Sequence, residues 1–294
     1  MNAKELVGLA FKLSIFLTLF GFGVGATRSD LLYVLHRPRI LLRSLVAMFL
    51  VMPLFAIFLT SMFHFQKPVM IALIALSISP IPPMLPRKVS KASGLAPYGL
   101  GLMVTVATLS IVFVPLAAHI IGEYFHRPFA MPPVAVAKLI GMSVLLPLAA
   151  GIVIQRFAPT LAARLAKPAS LTAKILLVLG LLAILIFAFP KSLSLIGNGT
   201  LLALIAFILV GLAAGHLLAG PSLDEKVTLA LSTACRHPAL AIAIATVNIP
   251  SEHNVVSAVL LYLVLNAVLT MPYIMWLRRK IGPLPEPTVK PSTA

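Results

Sequence analysis

The stretch Ala230–Pro250, ALSTACRHPALAIAIATVNIP, decides the fold of this chain. It is apolar enough to lie in a bilayer, yet Arg236 and His237 occupy its middle and Pro238 follows them directly. Proline lacks a backbone N–H and disfavours helical backbone in the preceding residue, so we expect a helix to break at Arg236–His237 and restart at Pro238. A membrane tolerates such a break only where protein or a wet cavity surrounds it, and many secondary transporters build their substrate sites in this way.

The composition around this stretch is that of a membrane protein. The chain has 294 residues, of which 60% are hydrophobic and 10% charged, with a mean hydropathy of +1.07. In soluble domains about a quarter of the residues are charged, so we predict an all-α polytopic membrane protein. The single cysteine, Cys235, excludes a disulfide framework and a cysteine-cluster metal site. The net charge of +16 is spread over short segments, so nucleic acid is not an expected partner.

Nine apolar segments of bilayer length are predicted to span the membrane. They form one membrane domain, residues 1–282, and the proline-rich tail, residues 283–294, is expected to be a disordered cytoplasmic segment. In chain order, the predicted helices 1 to 9 are Leu6–Ala26, Leu41–Phe63, Pro68–Gly94, Leu95–Ile121, Pro133–Ile154, Leu171–Phe189, Leu201–Leu218, Leu223–Val247 and Val255–Trp276.

A second interruption is predicted in helix 3, where the sequence reads SPIPPMLP from Ser79 to Pro86. We expect a break around Pro80 and Pro86 and a short polar helix from Arg87 to Ala92, although the prolines could also form a simple loop. Helices 3 and 8 are five spans apart and therefore cross the membrane in opposite directions. This relation is typical of an inverted repeat, here residues 1–122 and 131–282.

The distribution of Lys and Arg predicts the orientation. Sixteen of these residues fall on the side that holds the C-terminus, and Arg236 lies within the membrane. The positive-inside rule therefore places the N-terminus outside and the C-terminus in the cytoplasm, most simply in a bacterial inner membrane. The six on the opposite side are Lys4, Lys12, Lys67, Arg127, Lys138 and Lys191.

Several segments together resemble the bile acid:sodium symporter family. They are LFGFGVGATRSDL with HRPRILL, AMFLVMPL, SPIPPMLPRKVSKASG with GLGLMVTVATLS, and TACRHPALAIAIA. The resemblance implies a panel domain of helices 1, 5 and 6, and a core domain of helices 2–4 and 7–9 in which helices 3 and 8 cross. It also implies an organic anion as substrate. Family members commonly have ten helices, and this chain is expected to lack the first.

The departures from the family pattern fall on its sodium ligands. In the crossing-helix motif, the family's glutamate falls on Ser232, its glutamine on Arg236 and its asparagine on His237. We therefore expect no sodium and no other cofactor, with Arg236 standing in for the cation; proton coupling through His237 and uniport both remain open. The other ligand positions carry side chains without oxygen: Met48, Leu85, Pro86, Gly99 and Met103.

The candidate substrate site follows from the two breaks. Arg236 could equally be a structural residue that donates to carbonyls freed at Pro80–Pro86 and at Pro238, and the two roles are compatible. His237 could be a proton relay or could only satisfy backbone groups. The substrate-binding candidates are Arg236, His237, Ser232, Pro82, Pro83 and Asn266; the break residues are Pro80, Pro86 and Pro238; and Arg87 and Lys88 are a possible cytoplasmic vestibule or an ordinary basic flank.

The function predicted from these features is secondary transport of a small organic anion by alternating access. A channel lined by the broken helices, or a non-transporting receptor or structural protein of the same fold, is the alternative. An enzyme is not expected, because the sequence has no metal-binding His/Glu spacing, no Gly-x-Ser-x-Gly and no phosphate loop. The expected partners are the substrate and membrane lipids, and the sequence does not predict an oligomeric state.

Overall fold

A computed structural model of the chain describes residues 3–187, 189–252 and 254–281. These ranges are built from helices and contain no β-strand. The predicted cytoplasmic tail, residues 283–294, lies outside the described residues. The fold class predicted from composition, an all-α membrane protein, is confirmed.

Fifteen helices are described, and two of the joints between them are π-helical turns. These turns, Val46–Val51 and Gly141–Leu145, join α3 to α4 and α8 to α9 into continuous rods. The helices are α1 Ala3–Gly25, α2 Arg28–Leu31, α3 Pro38–Leu45, α4 Met52–Met62, α5 Lys67–Ile78, α6 Leu85–Lys91, α7 Ala96–Tyr124, α8 Pro133–Ile140, α9 Leu146–Phe157, α10 Pro159–Phe187, α11 Phe189–Leu193, α12 Thr200–Leu218, α13 Leu223–Ala234, α14 Pro238–Asn248 and α15 Val255–Ile281.

Seven helical spans in the described residues are long and apolar enough to cross a membrane. Their outward faces carry large apolar side chains such as Val112, which is 71% exposed, as expected where lipid replaces water. The chain is an integral membrane protein. The spans are Gly8–Gly25, Pro38–Met62, Ala96–Tyr124, Pro133–Phe157, Thr200–Leu218, Leu223–Asn248 and Val255–Lys280, and Lys67–Ile78 is a shorter apolar helix.

Three local features differ from what was predicted. Predicted helix 6 was placed from Leu171, but α10 begins at Pro159 and continues through Pro168. The short helix after the first break begins at Leu85 rather than Arg87, so Pro86 stands in its first turn. Proline is favoured there because the first helical N–H groups have no partner within the helix, so Pro86 is not part of the break. The one-turn helix α2, capped by Thr27, was not predicted.

Several helices pack closely against neighbours that are distant in sequence. Helix α1 lies along α9 and α10, while α5 contacts α4, α14 and α15, and α12 packs along α13. Gly23 and Gly151 allow the close approach of α1 to α9, since a Cβ on Gly23 would collide with the Leu148 carbonyl. Gly21 and Gly25 do not contribute to this approach, because a Cβ on either would meet nothing within 4 Å.

The helix ends gather on two opposite faces of the molecule. On one, which we call the Asn248 face, the Asn248 side chain bonds to the backbone of Ala130, and Ser61 meets Tyr124. On the other, which we call the Thr228 face, the Leu95 N–H donates to Thr228 at 2.8 Å. Both α5 and α14 have one end on the Asn248 face and the other in the protein interior.

Candidate site at the two helix breaks

The first break is a run of backbone carbonyls with few N–H groups. Helix α5 ends at Ile78, Ser79 is extended with φ −76° and ψ 144°, and helix resumes only at Leu85. In a continuous helix the Ser79 carbonyl would accept from the N–H of residue 83, but that residue is proline. The proline content of this segment therefore both ends the helix and frees an acceptor.

The second break is shorter and contributes donors. Helix α13 ends at Ala234, Cys235 and His237 have extended backbone, and α14 begins at Pro238. Pro238 fits the first turn of α14, where its missing N–H is not needed. Because Pro238 has no N–H, the Ala234 carbonyl four residues earlier has no partner within the helix.

The two breaks are hydrogen-bonded to each other. The backbone N–H of His237 donates to the Pro80 carbonyl at 2.8 Å, and Arg236 Nη1 donates to the Ser79 carbonyl at 3.1 Å. Both Arg236 and His237 are buried, with 1% and 2% of their surface exposed. A guanidinium at this depth requires several acceptors, and carbonyls freed by proline provide them.

A third segment also binds the arginine. Arg236 Nη2 donates to the Met48 carbonyl at 3.1 Å, within the π-helical turn between α3 and α4. In a π-helical turn that carbonyl would accept from the N–H five residues later, which is the position of Pro53. The arginine therefore joins three separate segments through carbonyls that proline or π geometry has left free.

The Ala234 carbonyl, which Pro238 leaves free, has different partners from the one expected. We expected Arg236 to donate to it, but the Ala234 carbonyl instead accepts from the Tyr262 hydroxyl at 2.6 Å and from Asn266 Nδ2 at 2.8 Å. The same hydroxyl accepts the Arg236 backbone N–H at 2.9 Å. Tyr262 was missed by sequence reasoning. Its position one helical turn before Asn266, on the same face of α15, was the available signal.

Lys88 also contacts the residues around the second break, although the sequence left it as either a vestibule residue or part of an ordinary basic flank. Its Nζ lies 3.2 Å from Asn266 Oδ1 and 3.4 Å from Cys235 Sγ. Cys235 Sγ in turn lies 3.2 Å from the same amide oxygen. Arg87, the other vestibule candidate, makes none of these contacts and is partly buried on α6.

The remaining candidates have different surroundings. Ser232 is fully buried, and its hydroxyl donates to the Thr228 carbonyl of its own helix at 2.7 Å. Pro82 and Pro83 lie within the first break, Pro83 buried and Pro82 half-buried. No cluster of three His, Cys, Asp or Glu side chains that could hold a metal occurs in residues 3–187, 189–252 and 254–281.

Two buried donors at the second break are left without acceptors in the described structure. They are Arg236 Nε and His237 Nε2. His237 Nδ1 accepts the N–H of Leu240 at 3.3 Å, so the proton of the neutral imidazole lies on Nε2. Among the described hydrogen-bond partners of Arg236 there is no carboxylate. The break therefore has a buried cation, spare donors and no acidic counterion.

Comparison with known proteins identifies the family. The model of the Sodium Bile acid symporter family matches residues 12–199, more than half of the chain and including the first break. The second break lies beyond the matched range. No curated protein matches the chain. Members of the family are membrane transporters and not enzymes, in agreement with the apolar helices described above. The chain therefore belongs to the sodium bile acid symporter family, as a membrane transporter.

Proposed function

We propose that this protein is a sodium-independent secondary transporter of a small organic anion, which works by alternating access between two faces of the membrane. Arg236 holds the two helix breaks together and supplies the positive charge to which the anion binds. His237 provides a second hydrogen-bond donor, and no cofactor is involved.

One observation carries the choice of an anion. A buried guanidinium and a buried imidazole each keep a donor without an acceptor in the described residues. Leaving a buried donor unpaired costs about 1–3 kcal/mol, so a ligand that brings acceptor oxygens gains that energy on binding. Carboxylates and sulfonates bring such oxygens together with the opposite charge. A cationic ligand would meet the unpaired charge of Arg236 instead.

The proposed independence from sodium is supported by the groups at the family's ligand positions. Met103 and Leu85 are buried apolar side chains, and the Ser232 hydroxyl already donates within its own helix. The Met48 carbonyl, at another of these positions, is held by Arg236. Sodium prefers several hard oxygen ligands, and a fixed guanidinium among the same carbonyls would repel it.

The wider architecture of the proposal follows the family. The protein has the nine predicted spans, in which α5 and α6 together form predicted helix 3 and α10 forms predicted helix 6. With nine spans the two termini lie on opposite sides, the N-terminus outside and the C-terminus in the cytoplasm. The close packing of α1, α9 and α10 supports a panel domain, and the contact of α5 with α14 supports a core with crossed helices. The opposite directions of helices 3 and 8 support an inverted repeat, which allows the core to expose the breaks to each face in turn.

A carrier is favoured over a channel by the burial of the crossing. Cys235, Arg236 and His237 expose 6%, 1% and 2% of their surfaces. A carrier passes through states in which its central site is closed, and the buried crossing is what such a state requires.

The proposal is tested by ligand screening followed by uptake. We expect aliphatic and aromatic carboxylates, screened in potassium buffer, to raise the melting midpoint of the purified protein, while the matching neutral amides do not. Proteoliposomes in the same buffer should take up the best acid with saturable kinetics. Stabilisation by amides and acids alike, or uptake that rises linearly with concentration, would contradict the proposed anion carrier.

A further inference from the structure

The ends of α12, α13 and α15 bring aromatic and basic residues together on the Thr228 face. His216 Nδ1, near the end of α12, lies 2.9 Å from the hydroxyl of Tyr273 on α15. The same hydroxyl donates to the Lys226 carbonyl of α13 at 3.4 Å, and the rings of His216 and Trp276 have centroids 6.0 Å apart. These four residues and Lys280, one turn after Trp276, form what we call the Trp276 cluster.

The border of the Trp276 cluster is apolar and faces outward. Trp276 itself is exposed, as is Met275 beside it, and Leu217 at the end of α12 has 80% of its surface exposed. On a membrane protein, large apolar side chains of this kind face acyl chains, and tryptophan and tyrosine near helix ends lie at the level of the lipid headgroups. A molecule that meets the cluster from this direction therefore comes from the bilayer.

Two lysines bring positive charge to the cluster from different helices. Lys280 Nζ lies 4.4 Å from the centroid of the Trp276 ring, in a cation–π contact. The charges of Lys226 and Lys280 both act on the His216 imidazole, although one lysine belongs to α13 and the other to α15. Two cations therefore converge on one place in the Trp276 cluster.

The acidic residues next to Lys226 do not neutralise this charge. Asp224 and Glu225 precede Lys226 in the first turn of α13, and their charges act on Tyr33, which follows α2. The contacts described for the Trp276 cluster include no carboxylate. The cluster is thus a positively charged group at headgroup level with an apolar border.

An anionic phospholipid has the complementary chemistry. Its phosphodiester carries a negative charge and oxygens that accept charge-assisted hydrogen bonds from ammonium groups, and its acyl chains can cover the apolar border. Basic pockets between membrane helices bind phospholipid headgroups for this reason. A free phosphate would meet the charge but would leave the apolar border uncovered.

We propose that the Trp276 cluster is a binding site for one anionic phospholipid. The phosphate lies between Lys226 and Lys280, and the acyl chains lie along Leu217 and Met275. The bound lipid ties α13, the first half of a broken helix, to α12 and α15. The cluster shares no residue with the two breaks, so the proposal goes beyond transport and does not depend on it.

The test uses the fluorescence of Trp276, the single tryptophan of the chain. The full chain is reconstituted in phosphatidylcholine vesicles that contain a small, fixed fraction of a lipid with brominated acyl chains, which quench a neighbouring indole. The brominated lipid is either phosphatidylglycerol or phosphatidylcholine. A lysine near an anionic headgroup strengthens its binding roughly fivefold. We therefore expect phosphatidylglycerol to bind beside Trp276 at least about fivefold more strongly than phosphatidylcholine.

Two double variants test the assignment of the lysines. Lys226→Gln/Lys280→Gln should abolish the preference, so that the two brominated lipids quench equally. The preference is a ratio measured within each protein, so a change in Trp276 emission after the loss of Lys280 cancels. The matched control is Lys91→Gln/Lys167→Gln, which removes two exposed lysines predicted for the same side of the membrane. It should keep the preference of the wild type.

Four outcomes would overturn the proposal. Equal quenching by the two lipids in the wild type is the first, and this readout does not depend on any variant folding. The second is an undiminished preference in Lys226→Gln/Lys280→Gln. The third is an equal loss in the control variant, which would indicate attraction to the whole face. The fourth is relief of the quenching by millimolar glycerol phosphate, which would assign the cluster to free phosphates rather than to a lipid.

Discussion

The two helix breaks differ in length, composition and hydrogen-bonding capacity. The first, residues 79–84, has three prolines and presents the carbonyls of Ser79 and Pro80. The second, residues 235–237, presents the N–H of His237 and the guanidinium of Arg236. One break is therefore mainly an acceptor and the other mainly a donor. This complementarity pairs the two breaks directly through hydrogen bonds.

The comparison also explains why the donor is an arginine. The acceptors come from two different segments, at Ser79 and at Met48, and the planar guanidinium reaches both with separate nitrogens. An ammonium is a compact point charge and offers no such fork. Substitutions at Arg236, Tyr262 and Lys88 each remove a side-chain donor in or against the second break, and they are given in order of decreasing expected effect.

Arg236→Gln should be the most damaging single change. A glutamine amide is too short to reach both carbonyls, so the Ser79 and Met48 carbonyls would lose charge-assisted donors at a cost of roughly 2–4 kcal/mol. We expect a melting midpoint in detergent lower by several degrees, together with loss of anion binding. Arg236→Lys should recover part of both, because it keeps the charge without the fork.

The matched control for Arg236→Gln is Lys138→Gln, which removes one positive charge at an exposed position of α8. Its melting midpoint should equal that of the wild type. If Arg236→Gln also melts like the wild type and binds the transported anion with unchanged affinity, the arginine neither joins the breaks nor binds substrate.

Tyr262→Phe should have an intermediate effect. The change removes the hydroxyl that donates to Ala234 and accepts from the Arg236 backbone, yet it keeps the ring that packs edge-on against Phe207 at 6.1 Å. A hydrogen bond between membrane helices contributes on average about 0.6 kcal/mol to stability, so the loss of two should lower the free energy of unfolding by about 1 kcal/mol. Unfolding in mixed micelles measures this change.

Tyr124→Phe is the comparison for this variant, since the Tyr124 hydroxyl makes a single exposed contact of 3.4 Å with Ser61. It should leave stability unchanged. Equal stabilities for the two variants would mean that the Tyr262 hydroxyl does not hold the second break.

Lys88→Met should have a smaller effect on stability. Lys88 is partly buried on α6 and contacts Asn266 and Cys235 in the second half of the chain. Its loss should lower the free energy of unfolding by about 1 kcal/mol or less. Lys91→Met, on the same short helix but exposed, is the control. A chemical readout accompanies this change, because the Cys235 thiol should react more slowly with a small maleimide once the ammonium that favours its thiolate is replaced by a methionine of similar length. Identical reaction rates in the two variants would argue against the contact.

The sequence was sufficient for features that depend on local chemistry. Apolar composition predicts membrane helices, and Pro238 after Arg236 and His237 predicts where a helix stops. The start of α10 at Pro159 was missed because polar and basic residues such as Lys167 interrupt the apolar pattern, although a helix that extends beyond the bilayer can carry them.

Apart from carbonyls of the opposite break, the partners at the crossing could not be predicted, because they depend on packing between distant segments. The Met48 carbonyl is free only because the turn around it is π-helical, and the sequence alone indicates Pro53 but not that geometry. Tyr262 and Lys88 reach the second break from α15 and α6, which meet it only in the folded protein. Apart from the position of Tyr262 one turn before Asn266, these side-chain hydrogen bonds have no signature in the order of residues.

The central claim is that Arg236 permanently occupies the place of a cation between the breaks, and the most direct test is the effect of sodium on the wild-type protein. A bound ion at a hundred times its dissociation constant would stabilise the fold by about 2.7 kcal/mol, which is easily detected as a shift in melting midpoint. We predict identical midpoints in sodium chloride and potassium chloride of equal concentration. A saturable rise in sodium alone would contradict the account.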